Sequence, residues 1–140
     1  MLKSTLVTID SILYRLIIPI YVLIYGEVLK NNYATAGTWW CHGGNNQKFV
    51  YNANNQLIDV NSGKCLDVNG YNMNNGGKVI LFDCNRGDNQ KWDLDPNNGI
   101  IKARHSQKCL HITGGVAPGR EMMQWDCQGH RQEKLNLRST

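Results

Sequence analysis

Cys41 and His42 stand side by side in the stretch WWCHGGNNQKF (39–49), a thiol next to an imidazole with two glycines following. Nucleophilic catalysis uses these residue types, the histidine serving as base. A His-Gly-Gly-Asn loop is also of the kind that offers backbone N–H groups to an oxyanion. Adjacent residues of a strand point to opposite faces, however, so Cys41 and His42 do not converge. No Gly-x-Ser-x-Gly accompanies the loop. The histidines at 42, 105, 111 and 130 do not fall at zinc-ligand spacing with the cysteines, and no phosphate loop is present. The chain is therefore read as non-catalytic, with neither metal nor cofactor.

The stretch recurs. A step of 43 residues carries Trp39 to Phe82 and Trp125, Cys41 to Cys84 and Cys127, and Lys48 to Lys91 and Lys134. The same step carries Asn46 to Asn89 and Gln132, and Phe49 to Trp92 and Leu135. Cys65-Leu66 returns as Cys109-Leu110 after one inserted residue. Coincidence in types as rare as Trp and Cys marks a threefold repeat, with units at about 13–55, 56–98 and 99–140. The repeats lack helical apolar spacing. They read as short runs (QLIDV, GKCLDV, KVILFDC, QKWDLD) divided by Asn and Gly clusters, the pattern of strands joined by tight turns. Each unit is about four small strands, and three units must close on one another to bury their apolar faces. An all-β assembly with pseudo-threefold symmetry follows.

From Cys65 to Trp92, CLDV…VILFDCNRGDNQKW resembles one subdomain of the ricin B-type lectins, the Gln-x-Trp family of β-trefoils. The marks are the Cys-Leu-Asp opening, a second cysteine preceded by an aromatic, and Asn-Gln-x-Trp. The middle repeat matches throughout; the third has Gln-Glu-Lys where Gln-x-Trp is expected; the first matches only from about Thr35. The resemblance implies a β-trefoil over 16–140 and intra-repeat disulfides Cys65–Cys84 and Cys109–Cys127. It further implies binding of galactose or N-acetylgalactosamine-type sugars on glycans and glycoproteins. Two alternatives stand beside it. One is a trefoil kept as scaffold or protein-interaction module with decayed sugar sites. The other is the targeting domain of a larger toxin or glycoside-processing enzyme.

A sugar site needs an aromatic face for the C–H side of the pyranose and fixed polar groups for vicinal hydroxyls. A carboxylate accepts two hydroxyl hydrogen bonds, and charge-assisted bonds are the stronger ones; an amide adds a donor and an acceptor. The resemblance assigns these roles in the middle repeat to Asp67, Phe82 and Asn89, with Gln90 as support. In the third repeat Trp125 and Gln132 match, but His111 replaces the acid and accepts only one bond. In the first, Trp39, Asn46 and Gln47 match without a carboxylate. Trp92, Phe49 and Leu135 are expected in the core.

A chain of 140 residues makes one domain with a respectable core. Its formal charge of +4 is modest and its Lys and Arg are scattered, which argues against nucleic-acid binding. The disulfides imply an oxidising compartment and a secreted, extracellular protein. Of five cysteines, Cys41 is left over, since one period before Cys65 stands Val22; it is either free and buried or a route to a dimer. Residues 1–15 are read as an extension or leader. The uncharged run Leu16–Gly26 has the length of a signal-peptide apolar region and is short of the roughly 20 residues of a membrane span. A degenerate first repeat, a leader and a non-native end all remain open for this segment.

Overall fold

Among the described residues, short apolar runs bounded by turn residues become twelve strands, four to a repeat. The computed structural model describes residues 4–11, 20–24, 31–40 and 42–139. The first repeat supplies β1 (Thr5–Ser11), β2 (Ile20–Ile24), β3 (Ala36–Trp40) and β4 (Phe49–Tyr51). The second supplies β5 (Leu57–Asp59), β6 (Cys65–Val68), β7 (Val79–Phe82) and β8 (Trp92–Asp95). The third supplies β9 (Ile100–Ala103), β10 (Cys109–Ile112), β11 (Met122–Trp125) and β12 (Leu135–Ser139).

The first and fourth strands of each repeat join a closed ring. Antiparallel ladders link β1 to β12 and β4, β4 to β5, and β8 to β9. The ring is completed where Trp92 N donates to Asn55 O and Leu135 N to Gly99 O, both at 2.8 Å. The second and third strands form the hairpins β2–β3, β6–β7 and β10–β11. The hairpins grip one another by a threefold set of bonds: Leu81 N donates to Ala34 O at 2.9 Å, Gln124 N to Gly77 O at 2.8 Å, and Thr38 N to Arg120 O at 2.8 Å. These positions are spaced by the sequence period, so the symmetry is physical. The fold is an all-β trefoil.

Phe49, Trp92 and Leu135, the column after each glutamine or glutamate, are 0%, 0% and 2% exposed. They pack with Val7, Ile9, Leu57, Ile101 and Leu110 in one cluster. The indole of Trp92 satisfies its N–H on Leu66 O at 3.2 Å, as a buried ring must. Both expected disulfides, Cys65–Cys84 and Cys109–Cys127, are formed. Each ties the start of one hairpin strand to the residues just beyond its partner. Among the described residues, no helix is long and apolar enough to cross a membrane.

The amino end differs from expectation. Thr5–Ser11 falls in the segment expected to be an extension or leader, yet it pairs with three strands, β2, β4 and β12, and buries Val7 and Ile9. It is the first barrel strand, and the first repeat begins before residue 13. The period fails to find it because the segment between β1 and β2, which includes the undescribed residues 12–19, is longer than the 60–64 link of the next repeat. The register also moves by one. Tyr21 faces Trp39 as Cys65 faces Phe82 and Cys109 faces Trp125. Tyr21, not Val22, therefore holds the cysteine place, and Leu23, not Ile24, the place of Asp67. Cys41 lies outside the described residues, and the other four cysteines pair within the chain.

Trp92 joins core packing to the loop that carries the middle site. Trp92→Ala is expected to cost about 3–5 kcal/mol, the usual loss for a buried aromatic. Urea unfolding of the two proteins measures it, and a loss below about 1 kcal/mol would remove Trp92 from the centre of the core.

Candidate functional site

Asp67 lies on β6, opposite Ile80 of β7, with its side chain almost fully buried. Its Oδ2 accepts from Gln90 Nε2 at 2.8 Å and its Oδ1 from Asn89 Nδ2 at 3.2 Å. Asn89 Nδ2 also donates to Val68 O at 3.1 Å. Gln90 is fully committed: Nε2 donates to Asp83 O at 2.9 Å as well, and Oε1 accepts from Asn85 N at 2.8 Å. With no exposed surface, Gln90 holds the carboxylate in place from beneath. Each Asp67 oxygen spends one acceptor site on these bonds and retains capacity for a hydroxyl. Burial pushes the Asp67 carboxyl above its ordinary value, and the bonds from Gln90 and Asn89 partly oppose that rise.

Asp67, Phe82 and Asn89 line one cleft of about 220 Å³. The structure thus brings together the three residues that sequence reasoning assigned to sugar contact. Its other walls were not foreseen: Tyr33, Tyr71, Asn69 and Asn85. The Tyr33 and Phe82 ring centroids are 5.5 Å apart with planes at 76°. Tyr33 belongs to the first repeat, so the cleft is built from two repeats. Its segment is clamped by Asn32, whose Oδ1 accepts from Asp83 N at 2.9 Å and whose Nδ2 donates to Asp83 Oδ2 at 3.2 Å. Tyr33 and Tyr71 both have positive φ, 73° and 57°, a conformation that costs a residue with a Cβ about 1–2 kcal/mol.

The third repeat exchanges the partners. His111 Nδ1 lies 3.0 Å from Glu133 Oε2, and both side chains are buried. Glu133 Oε1 accepts from Gln128 N at 3.0 Å, as Gln90 Oε1 accepts from Asn85 N. The acid has moved from the strand to the turn, and the donor from the turn to the strand. The Nδ1 side of the His111 ring is thereby committed to the Glu133 side chain. His111 also neighbours Trp125 and His130, each at 6.1 Å between ring centroids. Sequence reasoning noted His111 but missed Glu133, although it occupies the glutamine column.

The first repeat keeps only the scaffold. Asn46 Nδ2 donates to Ile24 O at 2.8 Å and Gln47 Nε2 to Trp40 O at 2.7 Å, matching the bonds of Asn89 and Gln90. The strand register puts Leu23 at the place that Asp67 holds in the middle repeat. His42 is a turn residue: its Nδ1 accepts from Gly44 N at 2.9 Å, as Asn85 Oδ1 accepts from Gly87 N at 2.7 Å. Among the described residues no His, Cys, Asp and Glu cluster could hold a metal ion.

The chain matches the family model of the ricin-type β-trefoil lectin domain over residues 26–135. A probable lipoprotein, EnvE, of Salmonella typhimurium is 34% identical over 76 residues, covering 54% of this chain and 43% of that protein. The matched part is thus less than half the length of that relative. A designed threefold-symmetric protein, ThreeFoil, superposes with a TM-score of 0.86 at 22% identity, covering 96% of this chain and 99% of that one. The C-terminal half of an earthworm R-type lectin, solved with GalNAc, gives 0.79 at 14% identity, covering 97% and 99%. At such identities the two structures establish the fold alone.

The His111–Glu133 exchange predicts compensation. His111→Ala leaves a buried carboxylate without its side-chain donor and should cost about 3–5 kcal/mol. His111→Asp combined with Glu133→Gln restores the middle-repeat arrangement and should recover most of that loss. Denaturant unfolding of the single and double variants forms the cycle. Strictly additive losses would show that the two side chains are not coupled.

Proposed function

Because the chain belongs to the ricin-type β-trefoil lectin domain family, we propose that it binds galactose or N-acetylgalactosamine-type sugars, chiefly through the middle repeat. The carrying observation is the convergence of Asp67, Asn89 and Phe82 on one cleft. The axial O4 of galactose leaves an unbroken C–H patch on one pyranose face, which suits the Phe82 ring. The carboxylate then accepts from adjacent hydroxyls, and the Asn89 amide supplies a further polar contact. Burial strengthens these bonds because the competing solvent is reduced.

The first and third corners contribute less. Leu23 brings no acceptor, and the His111 and Glu133 side chains are committed to each other. With one good pocket a single domain binds a monosaccharide weakly, and useful avidity comes from several domains presented together. The two disulfides favour an oxidising location, so the domain acts outside the cytosol, secreted or held at a cell envelope. The losses at the two weaker corners also favour a second reading, a scaffold or protein-interaction module whose sugar sites have decayed.

Titration of galactose and N-acetylgalactosamine into wild type and Asp67→Ala, after a glycan array, tests the assignment. Loss of charge-assisted bonds should weaken binding about tenfold or more. Equal binding by the two proteins rejects the site, and capture of a protein with no glycan bound favours the second reading.

The pH profile supplies a second check. With its folded pKa raised, Asp67 contributes stability that is fully present below its ordinary 3.8 and is lost as pH rises through the folded value. Sugar binding has the opposite sign, since the ionised carboxylate accepts the hydroxyls. Affinity should be flat near neutrality and fall on acidification, with its midpoint above 3.8. Calorimetric titration across that range measures it, and an unchanged affinity down to 3.8 contradicts the role.

A further inference from the structure

The two tyrosines beside Phe82 occupy backbone positions that other repeats fill with glycine. Tyr33 N donates to Leu81 O at 2.8 Å. The same bond joins Gly76 N to Gln124 O at 2.9 Å and Gly119 N to Thr38 O at 2.7 Å. At these three matched places φ is 73°, 88° and 77°. Tyr71 has a glycine counterpart too. Val68 and Ile112 hold the same ladder position at the ends of β6 and β10. Three residues beyond each stand Tyr71 and Gly115, with φ of 57° and 110°.

A left-handed backbone is free for glycine and costly for tyrosine. Neither ring offsets that cost by burial, since Tyr33 is 62% exposed and Tyr71 49%. At the Tyr33 position the fold does not need the ring, because glycine makes the equivalent hydrogen bond at the other corners. The Tyr71 ring rests edge-on against His105, with 4.7 Å between centroids. Strain of this kind collects at ligand sites. Both rings line the cleft that holds Asp67 and Phe82.

We infer that Tyr33 and Tyr71 form an outer subsite, so that the middle-repeat cleft takes a disaccharide or longer glycan rather than a lone monosaccharide. This rests on the sugar-binding reading of the same cleft. The geometry explains why a second unit is needed. The Tyr33 and Phe82 planes meet at 76°, and one flat pyranose face cannot lie on both. The inner unit occupies Phe82 and Asp67, and the next unit meets the tyrosines. Their phenol groups each bring a donor and an acceptor for its hydroxyls. At the third corner the matching positions are Gly76 and Gly115, so neither ring has a counterpart there.

The test compares lactose with methyl β-galactoside by calorimetric titration of wild type, Tyr33→Gly, Tyr71→Gly and Asp67→Ala. In wild type lactose should bind about twofold to tenfold tighter, the value of one aromatic contact. That ratio should fall towards one in Tyr33→Gly and in Tyr71→Gly, while the Tm of Tyr33→Gly stays at or above wild type. Tyr33→Ala removes the ring but keeps the Cβ, so it should melt below Tyr33→Gly. A lactose advantage retained in both glycine variants overturns the subsite. A Tm for Tyr33→Gly below wild type also overturns it, since the ring would then be structural. Undiminished binding of methyl β-galactoside by Asp67→Ala instead removes the inner site and the sugar-binding reading with it.

Discussion

One side-chain amide, that of Gln90, sets the geometry of the middle corner. It takes the Asn85 N–H on its oxygen and gives its two protons to the Asp83 carbonyl and the Asp67 carboxylate. Three separate chain segments are thereby held around a buried acid: β6, the stretch after β7, and the turn 88–90. The amide has no rotational freedom left, and its neighbour Trp92 anchors the same turn in the core. An acid lifted out of water would ordinarily discharge itself by taking up a proton. The converging N–H donors oppose this and keep the carboxylate available as an acceptor.

The three corners are variations on that one constraint. The oxygen at the Gln90 position always receives a backbone N–H, from His42, Asn85 or Gln128. What varies is the strand residue beneath it. Where that residue is aspartate, the turn residue is an amide donor. Where it is histidine, the turn residue is the acid Glu133, and the polarity of the pair is reversed. Where it is leucine, the amide is retained and bonds only to backbone. Each solution satisfies the buried turn group, which is the requirement that folding enforces. Only the first leaves an acid able to accept from a ligand.

Much of this was legible in the sequence. The 43-residue period exposed the repeat, because Trp, Cys and Gln-x-aromatic are rare enough to register by eye. The family resemblance it revealed then implied the core column Phe49–Trp92–Leu135, the two disulfides and the Asp67–Phe82–Asn89 set, whose members line one cleft. Thr5–Ser11 was missed because a barrel strand of alternating Val and Ile bears no such mark and sits beyond a longer link. Glu133 was missed because its meaning depends on a partner across 22 residues, and neither residue alone departs from ordinary usage. The tyrosines were missed for a backbone reason. Left-handed φ is not written in the letter Tyr. The signal was nevertheless present, since Tyr33, Gly76 and Gly119 are spaced by the same period, and a glycine column interrupted once is a place to look.

At the middle and third corners the loop of the preceding hairpin is clamped to the residues after the third strand, by Asn32–Asp83 and Asn75–Asp126. At the middle corner it also brings Tyr33 to the cleft. Cleft and repeat are therefore out of phase. A chimera that moved 56–98 into another trefoil would carry the acid and its amide and leave Tyr33 behind. In the same way, drift in the segment around residue 33 reshapes its neighbour's cleft without touching a single residue of that neighbour's own unit. The heritable module here is the seam between two units.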